Sequence, residues 1–268
     1  MGAPDARVPP RLTGVTVQRL EDRYGRVAAD LRVSLTDRCN LRCSYCMPAE
    51  GLDWMPNEEV LTDEEVVHLI RIGVQMLGIR EVRFTGGEPL VRRGLVDIVA
   101  GTRALDPDLE LSITTNALGL TRMARTLADA GLNRVNVSLD TVRPDTFHQI
   151  TRRDRFADVV SGLEAAKAAG LGPVKSNAVL LRGVNDDQAP ELLRWCLERG
   201  YDLRFIEQMP LDAQHGWSRE GMVTADEIFD RLGAEFDLSP AEEPRGSAPA
   251  ELFRVDGGPG RSHRRRGG

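Results

Sequence analysis

From residue 30 to residue 209 the chain alternates short apolar stretches of period two with longer stretches of helical period. The strand-like segments are DLRVSLTD (30–37), REVRFTGG (80–87), LELSITTN (109–116), RVNVSLDT (134–141), GPVKSNAVLL (172–181) and DLRFIEQM (202–209). Helix-like segments separate them at 61–78, 94–105, 122–131, 156–170 and 188–200, and another follows at 223–233. The first helix carries its own start and stop. Thr62 with Glu65 is a capping-box pattern, Val66, Ile70 and Val74 form one stripe, and Gly78 ends it. Six β/α units in succession predict an α/β fold with a parallel sheet and right-handed crossovers. Six are too few to close an eight-stranded barrel. An incomplete (β/α)6 barrel is expected, with an open doubly wound sheet as the alternative. Both put binding residues at the carboxyl ends of strands.

The barrel spans 29–210, after an N-terminal segment at 1–28. The start of a C-terminal extension follows at 211–257, then a tail at 258–268. Within the extension, SPAEEPRGSAPAE (239–251) reads as a flexible loop and ELFRVDGG as one more strand. The tail GPGRSHRRRGG is low in complexity and is expected to be disordered.

Charge and composition exclude some functions. The chain has 35 basic and 41 acidic side chains, a net charge of −6, which argues against a general nucleic-acid binder. Its first residues hold no apolar signal region, and no apolar run reaches membrane-spanning length. Four cysteines in 268 residues do not make a disulfide framework. The expected location is the cytoplasm, with neither nucleic acid nor membrane as partner.

Three of those cysteines fall in CNLRCSYC, at Cys39, Cys43 and Cys46, just after the first strand. Three thiolates at this spacing can hold three corners of a four-iron cluster, leaving one iron open for chemistry. The alternatives are free thiols, or a zinc site completed by Cys196 or a histidine. Cys196 suits that role poorly, because it sits within the helix-like RWCLERG and reads as a buried apolar residue. A second motif, FTGGEP (84–89), ends the second strand. Gly86 and Gly87 allow close backbone approach to a ligand and Glu88 adds a carboxylate. Taken alone, a Gly-Gly pair is more often a plain turn.

Together the two motifs resemble the CxxxCxxC and GGEP motifs of radical S-adenosylmethionine (SAM) enzymes, including the aromatic Tyr45 before the last cysteine. LRVSLTDRCN, EVRFTGGEPLVR, ITTN, VNVSLD, FHQIT, VKSNAVLLRGVN and LRFIEQMP, in that order, further resemble the molybdenum-cofactor biosynthesis protein A family, the GTP 3′,8-cyclases. The resemblance covers roughly residues 15 to 235.

That resemblance implies roles residue by residue. Cys39, Cys43 and Cys46 match cluster ligands. Tyr45, Gly87, Ser138 and Met209 match SAM contacts. Arg32, Arg83, Thr114 and Lys175 match positions that hold GTP. A cation facing into a barrel is costly without an anionic partner, and a triphosphate would supply one. The implied fold is a radical-SAM-type partial barrel with a short, partly disordered C-terminal extension. The implied reaction converts GTP to (8S)-3′,8-cyclo-7,8-dihydroguanosine 5′-triphosphate, releasing 5′-deoxyadenosine and methionine, as a lyase of molybdenum cofactor biosynthesis. No side chain is assigned as acid or base. The resemblance also implies a one-electron donor such as flavodoxin or ferredoxin, and it leaves a homodimer open.

The family carries a second cluster on a later CxxC and one further cysteine. No cysteine follows Cys196 in these 268 residues, so one [4Fe-4S] cluster is expected here, with GTP held through its phosphates. Gly267 and Gly268 match the family's terminal pair in letters only. Two other readings stay open: a radical SAM enzyme for another substrate such as a peptide, or a non-catalytic relative that binds SAM or GTP without turnover.

Overall fold

Six strands in succession follow chain order in the main sheet of the computed structural model, which describes residues 17–210, 216–241, 250–255 and 261–265. A short hairpin comes first, β1 (Leu20–Glu21) against β2 (Val27–Ala28), its turn gathered around the Asp22 carboxylate. Six strands then pair in parallel, each with the next: β3 (Asp30–Ser34), β4 (Glu81–Thr85), β5 (Glu110–Thr115), β6 (Arg134–Ser138), β7 (Lys175–Val179) and β8 (Asp202–Ile206). A doubly wound sheet reverses its strand order part-way. This order never reverses, so the partial barrel is the architecture observed. Among the described residues β3 has no strand on its outer side, and the wall stays open there.

The connecting helices are α1 (Asp63–Met76), α2 (Leu95–Arg103), α3 (Leu120–Asp129), α4 (Pro144–Thr151), α5 (Phe156–Ala168), α6 (Ala189–Arg199) and α7 (Ala225–Gly233). Both halves of the capping box at Thr62 and Glu65 form at the start of α1. Gly78 follows that helix at φ 78°, in the left-handed region that glycine tolerates. α4 has no counterpart among the helices expected from the sequence.

Polar and apolar residues alternate along β3, β4 and β6. Val82 and Phe84 on β4, Leu111 and Ile113 on β5, and Val135 and Val137 on β6 are fully buried. They pack into one core with helix residues such as Ile70, Leu95, Leu127 and Leu163. Truncating Phe84 to Ala would cost about 3–5 kcal/mol, through lost transfer energy and the cavity left behind. The intervening positions are polar: Arg32, Arg83, Ser112, Arg134, Lys175 and Arg204. A strand has a period of two, so these residues share the face away from the core.

Past β8 the sheet continues. β11 (Arg261–Arg265) pairs parallel with β8 and antiparallel with β10 (Ala250–Val255), and β9 (Leu238–Pro240) pairs antiparallel with β10. The strand read in ELFRVDGG is β10. The other two strands take residues from the stretches read as loop and as tail. Backbone pairing to an existing edge holds them despite their composition. Residues 242–249, 256–260 and 266–268 lie outside the described residues. No helix among the described residues is long and apolar enough to cross a membrane.

Candidate active site

The carboxyl ends of β4, β5 and β6 meet the cysteine loop around a cavity of about 200 Å³. Cys39, Cys43, Cys46, Tyr45, Gly87, Thr114 and Ser138 all line it. Seven of the eleven residues that the resemblance assigns to cluster, SAM or GTP thus converge on one space. Arg32, Arg83, Lys175 and Met209 do not line it. Met209 is 45% exposed beyond β8.

The cysteine loop is held from two sides. On one side it rests on the end of α4, where Arg42 N donates to Thr151 O (3.0 Å) and Ser44 N to Ile150 O (2.8 Å). Arg152, in left-handed backbone at φ 56°, donates through Nη1 to Arg42 O (2.8 Å) and Met47 O (3.1 Å). On the other side is the GGEP turn. Gly87 N donates to Thr36 O (2.7 Å) and Glu88 N to Arg38 O (2.8 Å). A Cβ on Gly87 would stand 2.4 Å from the carbonyl oxygens of Asp37 and Arg38, and one on Gly86 would stand 2.3 Å from Thr36 O. The close approach that these glycines permit is therefore to the backbone leading into the cysteine loop.

Glu88 differs from its expected role. It is only 1% exposed, and its carboxylate accepts from Leu90 N (2.9 Å), Thr115 Oγ1 (2.6 Å) and Asn116 N (2.7 Å). Burial still pushes its pKa up. The carboxylate braces the cavity floor, with three donors already on its two oxygens.

Tyr45 donates its hydroxyl to Asp140 Oδ2 at 2.8 Å, and Asp140 Oδ1 accepts from Val179 N at 2.9 Å. Burial pushes Asp140 up to about 6 and Tyr45 well above its ordinary value. Asp140 was not singled out from the sequence. Its signal was its position: a polar residue just past the carboxyl end of a barrel strand, two after Ser138. Asn116 was also missed. Its Nδ2 donates to Asn40 Oδ1 (2.7 Å) and lies 3.8 Å from Cys39 Sγ.

The strand cations form a second group on the polar face. Arg32 and Arg83 are register partners, and Arg134, Arg204 and Arg83 all act electrostatically on Lys175. Two points from the sequence change. Arg32 is exposed, so it carries no burial cost. Arg83 already pairs with Glu81 (2.7 Å), which also binds Arg134 (2.6 Å), so a protein carboxylate supplies part of the compensation assigned to a triphosphate. Burial moves Lys175 below its ordinary pKa, with Asp202 opposing and the neighbouring arginines adding to the shift.

Comparison with known proteins sharpens this picture. The radical SAM superfamily profile matches residues 33–196. A GTP 3′,8-cyclase from Streptomyces coelicolor is 64% identical over 243 residues, aligning 90% of this chain with 71% of that one. The chain belongs to the GTP 3′,8-cyclase family of radical SAM proteins. The GTP 3′,8-cyclase of Paenarthrobacter nicotinovorans is 58% identical, aligning 88% of this chain with 66% of that protein. The structure of TYW1 with a lysine-pyruvate adduct bound superposes with a TM-score of 0.58 at 14% identity, covering 81% of this chain and 76% of that one. At that identity the likeness shows the fold alone.

Family membership implies a four-iron cluster and SAM, and the cysteine loop fits the cluster. Its three thiols line one cavity, and burial raises the pKa of each, Cys43 most. Three thiolates so placed need a cationic centre to hold them charged. Cys196 lies fully buried in α6 beside Ser176 and outside that cavity, so it cannot complete a zinc site there. Among the described residues, no group of three or more His, Cys, Asp or Glu side chains is arranged to hold a single metal ion.

Proposed function

We propose that this chain cyclises GTP to (8S)-3′,8-cyclo-7,8-dihydroguanosine 5′-triphosphate in molybdenum cofactor biosynthesis. The observation that carries the reading is the single cavity that gathers Cys39, Cys43 and Cys46 with Tyr45, Gly87, Ser138 and Thr114 in a chain 64% identical to a GTP 3′,8-cyclase. Held by Cys39, Cys43 and Cys46, the cluster with SAM would supply radical chemistry for hydrogen abstraction from the ribose.

The chain's own residues bind, orient and exclude water. Cys39, Cys43 and Cys46 hold one cluster, and no other cysteine triad occurs in these 268 residues. The Tyr45 ring, fixed through its hydroxyl, and Ser138 form the walls for SAM, with Gly87 at the turn. Met209 covers SAM from beyond β8, a placement that asks the segment after β8 to move inward. Thr114, which lines the cavity, positions the ribose. Arg32 and Lys175 take the triphosphate, and Arg83 joins them by exchanging part of its pairing with Glu81. A one-electron donor of the flavodoxin or ferredoxin kind reduces the cluster.

The test is direct. Anaerobically reconstituted protein is given SAM, dithionite and GTP. Release of 5′-deoxyadenosine together with a cyclised nucleotide supports the reading. Release of 5′-deoxyadenosine without any cyclised product favours another substrate, and no release from a protein with intact cluster favours binding without turnover.

A further inference from the structure

Beside the cysteine loop lies a second cleft of about 310 Å³, lined by Asn40, Gly119, Arg122, Arg153, Asp154 and Arg155 among others. It shares no lining residue with the cluster cavity. Three arginines face one aspartate there, on a chain whose net charge is −6. All four of these charged side chains are exposed. Arg155 is paired with Asp158, and Arg153 Nη1 donates to Arg152 O at 2.9 Å. The first turn of α3 opens onto this cleft with no acidic residue, so its amide groups add to the positive potential.

Cleft and cavity are lined by neighbouring residues of the chain. Asn40 lines the cleft and its chain neighbour Cys39 lines the cavity. Asn116 joins the two, with Nδ2 at 2.7 Å from Asn40 Oδ1 and 3.8 Å from Cys39 Sγ. A cationic depression backed directly by a cluster ligand suits one task. It brings an acidic surface close to the metal while leaving the substrate side free.

We infer that this cleft is the docking face for an acidic one-electron carrier protein, with Arg122 and Arg153 as its main contacts. The inference rests on the radical reading above. In the docked pair the carrier loses one electron and the cluster held by Cys39, Cys43 and Cys46 gains it, with no proton or group transferred. Opposite charges across such a face set the encounter rate and its salt dependence more than the final affinity. A small reductant does not need the face at all.

The experiment uses reconstituted holoenzyme, reduced flavodoxin as the probe carrier, and the double variant Arg122→Glu with Arg153→Glu. Calorimetry with oxidised flavodoxin at low salt should show binding weakened roughly tenfold, with the difference fading as salt screens it. Flavodoxin-driven release of 5′-deoxyadenosine should fall in step, while dithionite-driven release stays at the unsubstituted rate. Unchanged affinity and unchanged flavodoxin-driven release overturn the inference. Equal loss with both reductants overturns it too, because the defect then lies in the cysteine loop. Failure of dithionite on the unsubstituted holoenzyme defeats the radical reading itself.

Discussion

Tyr45 and Asp140 are joined by a 2.8 Å hydrogen bond across 95 residues of sequence, and through it the cysteine loop is tied to the end of β6. Asp140 does more than accept that hydroxyl. Its backbone oxygen accepts from Asn185 Nδ2 at 2.8 Å, and Asn185 Oδ1 accepts from Leu181 N at 2.6 Å. The loop that holds the thiols, strand β6 and the turn after β7 are therefore tied together by hydrogen bonds. Asp140→Ala would leave a half-buried tyrosine hydroxyl and the half-buried Val179 amide without partners. Each such group costs about 1–3 kcal/mol. Urea unfolding of the metal-free chain should show that loss, and the KM for SAM should rise more than kcat falls. Asp140→Asn, which keeps the Val179 bond, should recover most of the stability. A variant as stable as the unsubstituted chain would remove this tie from the account.

The GGEP turn gives a contrast between two glycines. Gly87→Ala places a Cβ 2.4 Å from two backbone oxygens of the segment that enters the cysteine loop. Backbone cannot yield as a side-chain tip can, so the loop must shift and iron content should fall after reconstitution. Gly183 has φ 73° with nothing within 4 Å of a built Cβ. Gly183→Ala should cost only about 1 kcal/mol of backbone strain and leave iron content unchanged. Equal iron in both variants would show that the close approach at Gly87 is dispensable.

How much of this was legible in the sequence depended on separation along the chain. The capping box at Thr62 and Glu65 and the stop at Gly78 are local patterns, and both formed. The cysteine triad lies within eight residues and was readable for the same reason. α4 was not, because Pro144–Thr151 gives only eight residues of periodicity between a strand and a longer helix. Yet α4 and its cap carry Ile150, Thr151 and Arg152, which anchor the cysteine loop. Glu88 was read as reaching for a ligand, since Thr115 and Asn116, its partners, belong to the next β/α unit. The strand cations do lie on strands, but Glu81 as the shared partner of Arg83 and Arg134 depends on sheet register. β9 and β11 answer to an open sheet edge, which composition does not report.

The cysteines divide sharply by environment. Changing Cys39, Cys43 or Cys46 to Ala should abolish both iron and acid-labile sulfide. Cys196→Ala should keep both, since that thiol is buried in α6, where burial pushes its pKa up to about 12. Removing its sulfur should cost about 1 kcal/mol of packing, seen as a lower urea midpoint. Iron lost from the Cys196 variant in proportion to iron lost from the other three would make it a ligand after all.

Lys175 offers a proton-linked test of the triphosphate site. Burial is the largest influence on it and lowers its pKa, Asp202 opposes, and Arg134, Arg204 and Arg83 lower it further. A triphosphate placed against it would favour the charged form, so its pKa should rise on binding. Binding GTP at alkaline pH should then take up a proton, and affinity should fall as pH rises through the pKa of the free chain. Calorimetry in two alkaline buffers of different ionisation enthalpy reads that uptake directly. Lys175→Arg holds its charge throughout and should abolish the buffer dependence while retaining binding. Lys175→Ala should lose a charge-assisted contact of about 2 kcal/mol, roughly thirtyfold in affinity. Identical binding enthalpy in both buffers for the unsubstituted chain would place the triphosphate elsewhere.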